Sequence, residues 1–212
     1  MGNYRRLLAV GDIHGCLDKL QALVTKIKPS EEDRMVFLGD YINRGPDSRE
    51  VIDFLIDLKS KVPCVFLLGN HEKMILDFFV DNNSLFLLNG GDKTLASYNC
   101  NSIGEMPFTH ISFFNELHPY YETNDHIFVH AGLKPGIPPG EQKIHDLIWI
   151  RDEFLSSDYD WGKTVVYGHT INRMPILQKN RIGLDTGCVY PPSEGYGCLT
   201  CCDVRERIIY AI

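Results

Sequence analysis

The chain has 212 residues, 44% of them hydrophobic and 23% charged, with a formal net charge of −7. That balance suits an ordinary globular protein, expected here as a single domain over residues 1–212 with a sizeable core. An acidic chain without a Lys/Arg-rich stretch argues against a dedicated nucleic-acid binder, and no apolar run is long enough to cross a bilayer.

The segment Met1-Gly2-Asn3-Tyr4-Arg5-Arg6 leads into only four apolar residues, Leu7 to Val10. A signal peptide needs a longer apolar core, and Arg6 stands where an N-myristoylation signal needs Ser or Thr. A cytoplasmic protein away from the membrane is expected. The first third then repeats one phrase three times. Leu7-Leu8-Ala9-Val10 leads into Gly11-Asp12-Ile13-His14-Gly15, Met35-Val36-Phe37-Leu38 into Gly39-Asp40, and Cys64-Val65-Phe66-Leu67-Leu68 into Gly69-Asn70-His71-Glu72. Such short, continuous apolar runs suit strands buried on both faces. Between them, Leu17, Leu20, Leu23, Val24 and Ile27 fall at helical spacing, as do Val51, Phe54, Leu55 and Leu58. The pattern predicts a βαβαβ unit with a parallel sheet, whose ligands bind beyond the carboxyl ends of the strands.

From Asn82 to Thr123 the periodicity weakens, and the segment is expected to cap the site with helices and a loop. Strand-like runs resume at His126–His130 and Thr164–Tyr167. Three more, Arg181–Asp185, Cys198–Cys202 and Arg207–Ile212, are close in sequence and predict an antiparallel meander forming a second sheet. The seven cysteines, an odd number at irregular spacing, contain one C-x-x-C pair (Cys198, Cys201) beside Cys202, with no second pair and no nearby His. A structural zinc site is therefore incomplete, and reduced, buried thiols are the better reading.

Asp12, His14, Asp40, Asn70, His71, His130 and His169 all terminate strand-like runs. Mixed carboxylate and imidazole donors suit manganese, iron or zinc, although turns also favour such residues. Asp12 and His14, two apart, would share a face if the strand end stayed extended. The three early motifs, Gly11–Gly15, Gly39–Gly45 and Gly69–Glu72, are separated by twenty-three residues each time. With His130-Ala131-Gly132 and Gly168-His169-Thr170, they resemble the signature of the PPP-type serine/threonine protein phosphatases of the calcineurin-like metallophosphoesterase superfamily, in a small bacterial-type form, over residues 7–170.

The resemblance implies an α/β fold, a two-sheet β-sandwich flanked by helices, and two divalent metal ions, manganese first among them. Asp12 and His14 would bind one ion, Asp40 would bridge, and Asn70, His130 and His169 would complete the second. Arg44 would hold the phosphate, Arg151 is the candidate second phosphate ligand, and His71 would be the general acid. One position departs from the pattern. Where the family has Asp in the second motif, this chain has Asn43, so the imidazole of His71 loses an anionic partner.

The function expected from the resemblance is a metal-dependent phosphomonoesterase acting on phosphoserine or phosphothreonine in phosphoproteins or phosphopeptides. The alternative is hydrolysis of a nucleotide substrate, a dinucleoside polyphosphate, and a third reading is a weakly active binder of phosphorylated ligands.

Overall fold

The computed structural model describes residues 4–212; Met1 to Asn3, on which part of the signal-sequence expectation rests, lie outside them. The predicted βαβαβ unit is present as β1 (Leu7–Val10), α1 (Leu17–Ile27), β2 (Arg34–Phe37), α2 (Ser48–Lys59) and β3 (Cys64–Phe66), with β1, β2 and β3 parallel. Helix α3 (Asn70–Asp81) starts directly at the third motif. The segment expected to cap the site folds into α4 (Asp92–Tyr98), α5 (Phe108–Asn115) and β4 (Tyr120–Glu122). There follow β5 (His126–Val129), α6 (Ile144–Trp149), α7 (Asp152–Leu155), β6 (Thr164–Tyr167), β7 (Ile176–Gln178), β8 (Arg181–Gly183), β9 (Thr200–Asp203) and β10 (Ile208–Ala211).

Among the described residues the strands form two five-stranded sheets, ordered β10-β9-β1-β2-β3 and β4-β5-β6-β8-β7. The expected C-terminal meander is not formed. β8 pairs parallel to β6 in the second sheet, whereas β9 and β10 form a hairpin that joins the first sheet antiparallel to β1. Closeness in sequence does not decide the pairing, because the sixteen-residue connection Leu184–Leu199 crosses from one sheet to the other.

Alternation along the strands explains the layering. Leu7, Ala9, Val36 and Leu38 face Phe128, Val166 and Ile182 of the other sheet, while Leu8, Val10, Met35 and Phe37 point outward to α1, α2 and α5. Ile127, Val129, Val165 and Tyr167 likewise meet α6 and the α7 residue Phe154. Each central strand thus buries both faces, one against a sheet and one against helices, which explains its unbroken apolar run. Among the described residues, no helix is long and apolar enough to cross a membrane.

Candidate active site

The parallel strands of both sheets end on the same side. Asp12 and His14 follow β1, Asp40, Asn43 and Arg44 follow β2, Asn70 and His71 open α3 after β3, and His130 and His169 follow β5 and β6. All are buried except Arg44, which is half-buried. His14, Asp40, Asn43, Arg44 and His169 adopt left-handed backbone conformations, with φ of 49°, 54°, 71°, 68° and 59°. Such a concentration of costly conformations is held in place only by dense surrounding structure. Asp12 and His14 do converge on the site, but by turning out of the strand, not by sharing a face of it.

Two close approaches explain glycines in the motifs. A Cβ at Gly69 would lie 2.3 Å from Asp40 Oδ1, and one at Gly168 would lie 2.2 Å from Asp12 Oδ1. Hydrogen at these positions lets the carboxylates reach the centre.

Asp40 stands in the middle. Its Oδ2 lies 3.5 Å from His14 Nε2 and 3.8 Å from His71 Nε2, while its Oδ1 lies 3.4 Å from His130 Nε2. Two donor groups therefore share it, His14–Asp40–His71 and Asp40–His130–His169, with the donor atoms of each within 4.8 Å of one another. The carboxylate of Asp12 accepts the backbone N–H of His169 at 3.2 and 3.1 Å.

The hydrogen bonds of the imidazoles suit cation binding. His14 Nδ1–H donates to Ile42 O at 3.0 Å, and His130 Nδ1–H donates to Leu38 O at 2.8 Å. His169 donates to the carbonyl of Trp149, and its Nε2 has no partner among the described residues. All three rings thus present an Nε2 lone pair to the interior, the tautomer that a second-layer carbonyl selects for a ligand. Asn70 Oδ1 faces His130 Nε2 at 2.9 Å, two acceptors with no hydrogen between them. A cation between the two would satisfy both.

The electrostatics agree. Burial, with Arg44 adding, pushes His14 down to about 3; burial lowers His130 to about 4, and burial with its neighbour His130 lowers His169 to about 2. The rings are neutral, as ligands must be. Burial raises Asp12, reinforced by Asp185 and Asp40, and lifts Asp40 to about 7 against the opposing His71 N–H and Arg44. Buried carboxylates short of positive charge favour a divalent ion.

Arg44 Nη1 donates to His14 Nε2 at 2.8 Å. Arg151 is exposed at the start of α7, close enough that its charge bears on Asp40 and His169. Asn43 is fully buried, its Nδ2 lying 2.8 Å from His71 Nδ1. Its orientation is set by α4: Thr94 Oγ1–H donates to Asn43 Oδ1 at 2.6 Å, and Thr94 lies 3.0 Å from Ser48 Oγ. With the amide donating, His71 Nδ1 is the acceptor and its proton sits on Nε2, which faces the site with no hydrogen-bond partner among the described residues.

Three residues of this centre were not anticipated. Glu72 is fully buried and accepts the backbone N–H groups of Asp40 and Tyr41 at 2.8 Å and that of Gly69 at 3.2 Å, tying the β2 exit to α3. Its signal was its place in the third motif, at the position where a Glu reaches back to the helix start. Asp185 is buried beside Asp12 and ends a strand-like run as the ligand candidates do. Thr94 carried no signal, since only the tertiary packing of α4 on α2 brings it to Asn43.

Residues 5–189 match the calcineurin-like phosphoesterase family. An asymmetrical bis(5'-nucleosyl)-tetraphosphatase, PrpE, of Anoxybacillus flavithermus is 29% identical, covering 85% of this chain and 85% of its own. Serine/threonine-protein phosphatase 1 of Salmonella typhimurium is 30% identical, covering 89% of each chain. A crystal structure of a candidate diadenosine tetraphosphatase superposes with a TM-score of 0.76 at 26% identity, covering 98% of this chain and 92% of the other. The family match takes in β1 to β8 and every motif gathered at the centre: the chain belongs to the calcineurin-like phosphoesterase family.

Proposed function

We propose that this phosphoesterase hydrolyses a phosphoanhydride bond of a dinucleoside polyphosphate, and that Asp12, His14, Asp40, Asn70, His130 and His169 would hold the two divalent ions it uses. The relatives' names support this over the phosphomonoesterase expected from the motifs, since the A. flavithermus protein and the superposed structure both carry tetraphosphatase names. When bound, the ions supply charge to the phosphate and lower the pKa of a water.

The observation that carries the reading is the amide of Asn43 against His71. The amide donates to Nδ1 and, being neutral, gives no support to an imidazolium. His71 then offers only a neutral Nε2–H, which can hydrogen-bond a phosphoryl or leaving oxygen but is a weak acid. A serine alkoxide needs a proton to depart. A nucleotide phosphate departs as a much weaker base, so a site with a weak acid serves it better. Arg44, half-buried at the mouth, pairs with His14 Nε2 here and would turn to a phosphate oxygen once that lone pair is taken by an ion, its planar fork suiting bidentate contact. Arg151, whose charge bears on Asp40 and His169, would meet a more distant phosphate of the polyphosphate.

The second reading, a serine/threonine protein phosphatase, is favoured by the Salmonella relative's name. Parallel kcat/KM measurements on diadenosine tetraphosphate and a phosphoserine peptide test the proposal, and faster turnover of the peptide overturns it.

A further inference from the structure

The centre has a thiol pair at its back. Cys16 caps the start of α1, two residues after His14, and its thiol lies 3.6 Å from the His14 carbonyl. Cys188 sits in the turn after Asp185 and belongs to the same buried cluster as Cys16, near enough for each thiol to bear on the other. Lys19, one turn along α1, donates from Nζ to Cys188 O and Gly197 O, both at 2.7 Å, and so holds that turn against the helix. Cys201 and Cys202, by contrast, are neighbours on β9 whose side chains enter different clusters.

We propose that Cys16 and Cys188 form a peroxide-sensitive dithiol whose closure to a disulfide disables the phosphoesterase centre. Cys16 is 8% exposed and Cys188 fully buried, so a molecule as small as hydrogen peroxide reaches Cys16 first. The Cys16 sulfur attacks one peroxide oxygen, an S–O bond forms as the O–O bond breaks, and the departing oxygen leaves as water with the thiol proton. The Cys188 sulfur then attacks the sulfenic sulfur, and the S–O bond breaks to release a second water. Two thiols are oxidised and one peroxide is reduced.

Bonded sulfurs sit about 2 Å apart, closer than any two unbonded thiols, so closure must draw the two loops together. The Cys16 side has little slack. His14 and Gly15 have φ of 49° and 65°, and a Cβ on Gly15 would already lie 3.0 Å from Gly45. The strain therefore passes to His14, and to Asp185 on the other side. Displacing an active-site group by about 1 Å can cost about 10²-fold in rate.

The test treats metal-loaded protein with hydrogen peroxide and, in a parallel arm, with diamide, a thiol oxidant that accepts the two hydrogens. Non-reducing peptide mapping should find Cys16 linked to Cys188, hydrolysis of p-nitrophenyl phosphate should fall by about 10²-fold, and dithiothreitol should restore it. Cys188→Ser should keep its basal rate and ignore diamide, with Cys188→Ala substituting if the serine variant is not folded by circular dichroism. A disulfide between other cysteines, no disulfide, or an unchanged rate in the linked protein overturns the proposal. So does equal inactivation of Cys188→Ser by diamide. Because the linkage is read by mass, failure of the phosphoesterase reading would not be mistaken for failure of this one.

Discussion

Replacing Asn43 by Asp restores a carboxylate 2.8 Å from His71 Nδ1 without disturbing the rest of the network, since Thr94 Oγ1–H can donate to Asp as it does to Asn43 Oδ1. The proton then belongs on Nδ1 as well as Nε2. A charge pair about 4 Å apart at an effective dielectric near 20 interacts by about 4 kcal/mol. That is roughly three pKa units, or about 10³ in the protonated fraction. Burial of His71, the largest influence on the ring, and the positive charge of Arg44 oppose the gain. An increase of about 10²-fold is therefore expected for leaving groups that need a proton, within the usual range for general-acid catalysis. The assay is kcat/KM for a series of aryl and alkyl phosphates of graded leaving-group acidity, run on both variants. The native chain should show a steep dependence on leaving group. Asn43→Asp should flatten it by accelerating the poorest leaving groups, while diadenosine tetraphosphate changes little. Parallel dependences for the two variants would refute the tautomer argument.

Away from the centre, Asp33 is buried and accepts from Arg6 at 2.7 and 3.0 Å, from Arg5 at 3.1 and 3.3 Å and from Ser30 N at 2.9 Å. Burial would raise this carboxyl, but the Arg6 and Arg5 bonds outweigh it and hold it well below the usual carboxylate range. Asp33→Asn should cost about 2–4 kcal/mol in urea unfolding at neutral pH, with Arg6 the main loser because Arg5 is half exposed. The folded-state pKa is the depressed one, so this stability is complete above the unfolded carboxylate value and drains away as pH falls below about 4; an equal deficit at neutral pH and near pH 3 would contradict it. Glu72→Gln turns an amide NH2, itself a donor, toward the N–H groups of Asp40 and Gly69. It should destabilise by about 3 kcal/mol and cut turnover, whereas unchanged melting would remove Glu72 from the role of tying Asp40 in place. Chelation should lower the melting temperature by on the order of 10 °C, reversed by manganese, if the ions bind about 10³-fold above their Kd. An unmoved melting curve would argue that no ion occupies the centre.

Much of this architecture could be read along the chain because its central strands are buried on both faces. The runs before Asp12, Asp40 and Asn70 announced strands, and the polar residues after them announced where those strands end. The C-terminal third was harder. Arg181–Gly183 and Thr200–Asp203 look alike as apolar segments, and nothing local says that one joins β6 while the other crosses to β1. The ligand candidates were legible because they sit at strand ends. The network that orients them was not, because Thr94 reaches Asn43 and Trp149 O reaches His169 only through packing between distant segments. Asn43 itself was visible as a departure from the motif. That its amide is turned to donate to His71 follows only from the neighbouring hydroxyl.

The most direct test of the proposed activity is a side-by-side determination of kcat/KM for diadenosine tetraphosphate and for a phosphoserine peptide, with product identification, on the manganese-loaded chain. The account predicts phosphoanhydride cleavage as the faster reaction by about 10²-fold or more, because only that leaving group departs without a strong acid. A phosphoserine peptide hydrolysed as fast as, or faster than, the dinucleotide would contradict it.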